Sequence, residues 1–409
     1  MHRVLPFRAT LTLLLSAGLL APAPASAQSL QTGESKHYTV HTNLSSREVK
    51  PLVQHMDAVY ASYLRLFKNF RSQTGAREPL YLVRNQNDYM SFLASQGINA
   101  AGSGGMFYVY GGANNSGLIT WVDDKPLSFT LETLQHEGFH QFAWDRLGPT
   151  LPLWANEGLA EYFGYARMDK RGKLVTGLTP GSAVRPIKQA VEQGQAMPIR
   201  ELVYITSQQW GANLRSGDPI GHIQYAQSWA MVHFLLNADR QKHRKPFFKY
   251  LELISKRSDP TRAWNESFGP DVIDALEARW RTYVLEELEV DPHSTAVERL
   301  QLVGSWMNRR RLADQPIPET LDDMRKAMLA DGVDRALAQI QGHGNRQRAD
   351  PDDDPLSYLD PQGQRQPFVL LRKPGPEGLP ELAAEAFRPK PTLKWLRRGD
   401  KLDPLVVDR

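Results

Sequence analysis

The chain has 409 residues, 41% of them hydrophobic, enough to enclose one large core or two smaller ones. Its formal net charge is only +4 and Lys/Arg are spread along the sequence, with Arg309-Arg310-Arg311 as the one block, which gives no footing for nucleic acid. There is no cysteine, so a disulfide framework and a thiolate metal site are both excluded.

At the N-terminus His2, Arg3 and Arg8 flank an apolar run, Ala9 to Ala21, that is too short to span a bilayer. Ala25-Ser26-Ala27 then supplies small residues for cleavage. The pattern predicts an export signal over residues 1–27, cut after Ala27, and a mature chain in the periplasm or outside the cell with no membrane span. A cysteine-free chain of this size suits a periplasm.

Alternation around Tyr38 and Val40 predicts a strand over 37–43, and Leu52, Met56, Val59, Tyr60 and Tyr63 recur at helical spacing within 46–70. A strand at 80–83, a helix at 87–95, and strands at 106–110 and 118–122 follow, the last two joined by a Gly/Asn turn over 111–117. Pro126 and Ser128 open a helix that Gly148-Pro149 close, and Pro152 opens another that stops near Gly164. After a polar loop the chain turns helical at 187–192, 225–236, 247–255 and 272–288, then at 295–310, 321–329 and 333–340.

The fold class is therefore α+β. It has an N-terminal α/β lobe over 28–165, a helical lobe over 166–290 and a helical extension over 291–341. Ten of the 28 prolines fall in the last 68 residues, near an acidic run at Asp350 and Asp352 to Asp354. Residues 342–409 are expected to be a flexible, Pro-rich tail with short extended pieces such as 368–371.

The first of the two central helices carries His136-Glu137-Gly138-Phe139-His140. Histidines four apart stack on one helix face and can grip one divalent cation, with Glu137 beside it to hold a water. The second helix reads Trp154-Ala155-Asn156-Glu157-Gly158-Leu159-Ala160-Glu161-Tyr162-Phe163 and adds two carboxylates one turn apart. A short reversal would fold it back antiparallel to the first and bring a third ligand to the histidines. Glu157, at the helix start, is favoured for that place, and Glu161 for a hydrogen bond to the outer nitrogen of a ligand histidine, although the two could exchange roles.

Two histidines, one carboxylate and an open fourth position are the donor set of a catalytic zinc site. Glu137 would take a proton from the water that attacks a carbonyl and pass it to the leaving nitrogen. For the oxyanion, Tyr225 is the first candidate and His222 the second. His233 reads as a core residue. The stretch Gly104-Gly105-Met106-Phe107-Tyr108 offers a strand edge that an extended peptide could approach closely.

These two segments resemble the gluzincin metallopeptidases, and most of all the peptidase MA-like group of bacterial exported proteins, several of which are filed as domains of unknown function. The resemblance implies a two-lobed zincin-like fold, an upper α/β lobe with a mixed sheet and the active-site helix, and a lower helical lobe. It also implies zinc on His136, His140 and Glu157, catalysis by Glu137, a supporting carboxylate at Glu161, and a peptide or protein substrate. The Gly-Ala-Met-Glu-Asn strand of the aminopeptidase branch is not present, which points away from aminopeptidase activity. A zincin-like protein that binds a peptide or envelope component without cleaving it is the alternative reading.

Overall fold

The computed structural model describes residues 30–100, 102–110, 116–123, 125–169, 171–333 and 354–408. The expected export signal, most of the turn at 111–117 and residues 334–340 of the last expected helix lie outside the described residues. The protein is mixed α+β.

A five-stranded sheet forms from β1 (Gln31–Glu34), β2 (Tyr38–Thr42), β3 (Glu78–Val83), β4 (Gly105–Val109) and β5 (Ser116–Trp121), in the order β1-β2-β3-β5-β4. β2, β3 and β5 run parallel, and β1 and β4 are antiparallel to their neighbours. β2 alternates buried Tyr38, Val40 and Thr42 with half-buried partners, as a strand with a single covered face should. α1 (Ser46–Leu66) crosses from β2 to β3 and lays Leu52, Met56, Val59 and Tyr63 on the core. Its first turn is closed by Glu48, which accepts from the amide and hydroxyl of Ser45 and from both Arg84 guanidinium nitrogens. α2 (Gln86–Ser95), capped by Asn85, covers the other face through Tyr89 and Leu93.

α3 (Leu127–Leu147) and α4 (Leu153–Gly164) follow. α3 is buried almost all round, as befits a helix with packing partners on several sides, and it ends where Gly148 takes φ +84°. Beyond them come a small hairpin, β6 (Arg167–Met168) with β7 (Leu174–Val175), and seven helices: α5 (Gly181–Glu192), α6 (Ile199–Val203), α7 (Ser207–Arg215), α8 (Ile220–Asn237), α9 (Arg244–Ser255), α10 (Pro260–Phe268) and α11 (Ile273–Thr282). One continuous apolar cluster runs from Tyr38 to Leu288. One face of the sheet and the helices therefore share a core with α3 and α4 at its centre, while the α2 face of the sheet packs a separate cluster around Tyr89, Leu93 and Ile119. No helix among the described residues is long and apolar enough to cross a membrane.

The tail departs from expectation. α12 (Pro292–Leu312) and α13 (Leu321–Ala330) combine with β8 (Ser357–Leu359), β9 (Arg365–Pro367), β10 (Val369–Leu370), β11 (Leu382–Ala383), β12 (Pro391–Arg398) and β13 (Lys401–Asp408) around a second core. Trp306, Met324 and Met328 from the helices meet Tyr358, Phe368, Leu393 and Trp395 from the tail. Residues 354–408 are thus a folded part of the protein, not a flexible tail. The prolines fit because Pro391 begins a strand and Pro404 sits in the edge strand β13, where no amide need enter the ladder. The β12–β13 turn reaches back to the sheet side, where Lys401 pairs with Asp123 at 2.5 Å.

Candidate metal centre

The α3–α4 pair is set by contacts on the backs of both helices. A Cβ on Gly138 would lie 2.7 Å from Met56 of α1, and one on Gly158 would lie 2.3 Å from the Ser228 carbonyl oxygen of α8. Each glycine follows a glutamate, and successive helical residues are about 100° apart in projection, so close packing behind the helix turns Glu137 and Glu157 toward the space between them. Gln135 ties the ends together. Its Nε2 donates to the carbonyls of Phe163, Gly164 and Ala166 at 2.8, 3.0 and 2.9 Å, and its Oε1 meets His55 Nε2 at 2.9 Å. Tyr63 donates to the Gln135 carbonyl at 2.5 Å.

His136, His140 and Glu157 converge, their ligand atoms all within 4.8 Å of one another. The two Nε2 atoms are 3.1 Å apart, and each is 3.5 Å from Glu157 Oε2. A tetrahedron with bonds of about 2.0–2.2 Å has edges of about 3.3–3.6 Å, so the three atoms outline one face of such a site. Glu157 is fully buried, and neither oxygen has a hydrogen-bond partner among the described residues. A buried carboxylate without donors is costly, and a cation held against it would offset that cost. The residues present therefore fit a bound divalent metal.

The charges say the same. Burial works against a proton on His136, but Glu157, Glu161 and Glu137 outweigh it and hold the pKa up at about 9. Burial pushes Glu157 up, yet His140 and His136 outweigh it and bring the carboxyl down to about 2. Burial raises Glu137, against the pull of both imidazoles and of the Phe107 amide, which donates to Glu137 Oε2 at 2.8 Å. The three buried carboxylates call for positive charge in their midst.

Glu161 Oε1 stands 3.7 Å from His136 Nδ1, on the side away from Glu157. Asn156 Oδ1 lies 3.0 Å from His140 Nδ1 and accepts its N–H, which turns Nε2 of that ring toward the cluster. Neither Asn156 nor Gln135 was assigned a role from sequence. A polar residue between Leu134 and His136 in an otherwise core-like stretch is the one signal that marks Gln135.

Tyr225, on the buried face of α8, is close enough to Glu157, Glu161 and Glu137 for their charges to add to burial in raising its pKa. Its hydroxyl is buried beside the Trp210 ring and has no hydrogen-bond partner among the described residues. His222 is exposed on the first turn of the same helix and is not part of the His/His/Glu group. His233 is a core residue, held by the Tyr283 hydroxyl at 2.7 Å and the Gly177 carbonyl at 3.1 Å.

β4 is the edge strand of its sheet, and the outward amide of Phe107 is the one that reaches Glu137. Beside His140 opens a cleft of about 550 Å³ walled by Phe107, Trp144, Leu151, Leu153, Val203 and Tyr204. Its walls mix these apolar side chains with polar groups, among them Asn156, Thr206, Ser207 and Asp259.

Residues 130–260 match the model of a family described as a protein of unknown function (DUF1570). The match covers less than half of the chain, and it takes in α3, α4 and α8, the three helices that build the cluster. No curated protein matches the chain.

Proposed function

We propose that the chain is an exported, zinc-dependent peptidase of the gluzincin kind, with the two-lobed fold of that group. One observation carries the reading: a fully buried Glu157 without a hydrogen-bond partner among the described residues faces two imidazoles, with Glu137 and the edge strand β4 alongside. His136, His140 and Glu157 hold the metal, and a His/His/carboxylate set suits zinc. The metal, when bound, supplies Lewis acidity that brings the pKa of a water beside it to about 7.

The other steps belong to the chain. An extended peptide adds to the β4 edge, which aligns its carbonyl with the site. Glu137 accepts the proton of the attacking water and returns it to the leaving nitrogen. The Phe107 amide holds the Glu137 carboxylate in place until the substrate enters. Tyr225 donates its free hydroxyl to the oxyanion. Asn156 and Glu161 keep both imidazoles aimed.

The test compares the mature chain with Glu137→Gln for metal content and for hydrolysis of a quenched-fluorescence peptide library. About one zinc per chain in both, with cleavage by the unmodified chain alone, is expected. No metal in either would falsify the site. Metal in both without cleavage would replace the peptidase by a peptide- or envelope-binding protein.

A further inference from the structure

A second cavity adjoins the cleft at His140. It encloses about 980 Å³ between the end of α1, the α3–α4 turn and α9. Its walls carry Arg71, Arg146, Lys245, Lys249, Lys256 and Arg257 against a single carboxylate, Glu252. That is a larger excess of positive charge than the +4 of the whole chain. Only part of it is neutralised. Lys256 pairs with Glu252 at 2.6 Å, and Arg146 is held by the Phe70 carbonyl and lies 3.8 Å from Asp145. Lys249 donates to the backbone carbonyl of Glu266, whose carboxylate also feels its charge. Arg71, Lys245 and Arg257 form no ion pair among the described residues, and all three are exposed. Like charges gathered in a concave wall focus a positive potential and cost folding energy, which an anionic occupant offsets.

The occupant follows from continuity. Gly148, Pro149 and Thr150 line both this cavity and the cleft at His140, so a chain lying past His140 crosses that turn directly into the basic groove. We propose that the groove binds an acidic stretch of the polypeptide substrate, a few residues from the bond placed at the metal centre. This rests on the peptidase reading and adds to it a substrate class, polypeptides with a cluster of Asp or Glu beside the cleavage site.

The test separates the two readings by measuring binding without cleavage. Fluorescein-labelled peptides that differ only in an Asp/Glu cluster or its Asn/Gln counterpart are titrated by anisotropy into zinc-loaded Glu137→Gln protein. The expected result is about tenfold or greater preference for the acidic peptide, fading as salt rises. Lys245→Glu/Lys249→Glu in the same background removes the preference, and Lys245→Gln/Lys249→Gln, with less perturbation, removes part of it. Arg372→Glu/Lys373→Glu, the same charge change on the exposed surface of the C-terminal part, leaves it within about twofold. Equal binding of the two peptides, or a preference untouched by the α9 changes, overturns the groove assignment. So does charge-sensitive binding of a sulfated polysaccharide with none of the acidic peptide, which would make the ligand a different polyanion. Cleavage of neutral peptides without acidic preference removes the groove proposal and leaves the peptidase. Acidic-peptide binding with no cleavage by the unmodified chain keeps the groove's ligand class and removes the peptidase.

Discussion

Gly158→Ala and Gly138→Ala form a matched pair, since each adds one methyl behind a buried glutamate on a helix. At either site alanine gains about 1 kcal/mol of helix propensity over glycine. The obstacles differ. At Gly158 the new Cβ stands 2.3 Å from the Ser228 carbonyl oxygen and 2.7 Å from its carbonyl carbon, both backbone atoms of α8. Ordinary contact begins near 3.4 Å, so α4 and α8 must part by about 1 Å. Overpacking of that kind costs about 3 kcal/mol, the upper end of its range, for a net loss of about 2 kcal/mol. At Gly138 the close contact is the Met56 methyl at 2.7 Å, the end of a flexible side chain that can turn away, while the Tyr63 hydroxyl at 3.4 Å and Leu118 at 3.8 Å are at ordinary contact distance. Gly138→Ala should therefore lie within about 0.5 kcal/mol of the parent. Urea unfolding of metal-free protein measures both, and zinc titration against a chromophoric chelator reads the site. Because α4 carries Glu157, its displacement should also weaken zinc binding about tenfold in Gly158→Ala. If Gly158→Ala unfolds at the same urea concentration as the parent or higher, the α4–α8 contact described here is wrong.

Asn156→Ala removes the acceptor at His140 Nδ1 and should lower zinc affinity about 10- to 100-fold while leaving stability nearly unchanged; an unchanged affinity would mean that packing alone orients the ring. Gln135→Leu strips the donor from three carbonyls at the end of α4 and should cost about 2–3 kcal/mol in urea unfolding, whereas a loss under about 0.5 kcal/mol would show that water replaces it. Glu78 is buried with Oε1 unpartnered, and burial, then Asp145, raises its pKa from 4.5 to about 8 despite Arg146. The folded state thus binds this proton more tightly than the unfolded one, so the stability it gives is full below pH 4.5 and drains away as pH rises to about 8. Glu78→Gln should add about 2–4 kcal/mol above pH 8 and little at pH 4.5, read from melting curves across that range; a gain that grows toward acid pH would contradict the sign.

Much of the first 165 residues was legible because the signals are local. Alternation fixed β2 and β3, helical spacing fixed α1, and Pro126 and Gly148 bracket α3 within a residue of where it lies. The helical half was read less completely. α5 starts at Gly181, ahead of the expected 187, because Pro186 reads as a beginning although it sits inside the helix. α6, α7 and α10 were missed, being too short for a periodicity to show. The tail failed for another reason. Strands of two or three residues such as β8 to β11 have almost no pattern of their own, and their apolar side chains find cover only on α12 and α13, which precede them in the chain. Proline content reports what a segment cannot do alone and says nothing of what distant helices supply.

The centre divides along the same line. His136 and His140 were visible because four residues on a helix fix their separation, and Glu157 because only a reversal separates the two helices. Asn156 was not, since its partner depends on the angle at which α4 returns. Yet that angle leaves a trace in the sequence: Glu137-Gly138 on one helix and Glu157-Gly158 on the next. A helix admits a neighbour's backbone only over a residue with no side chain, and the residue before it then faces about 100° away. Had Gly158 been alanine, α8 would stand farther from α4, the helix that carries Glu157, whereas at Gly138 the neighbour is the Met56 side chain, which can yield. Gly158 belongs to the site as much as Glu157 does, through packing rather than chemistry.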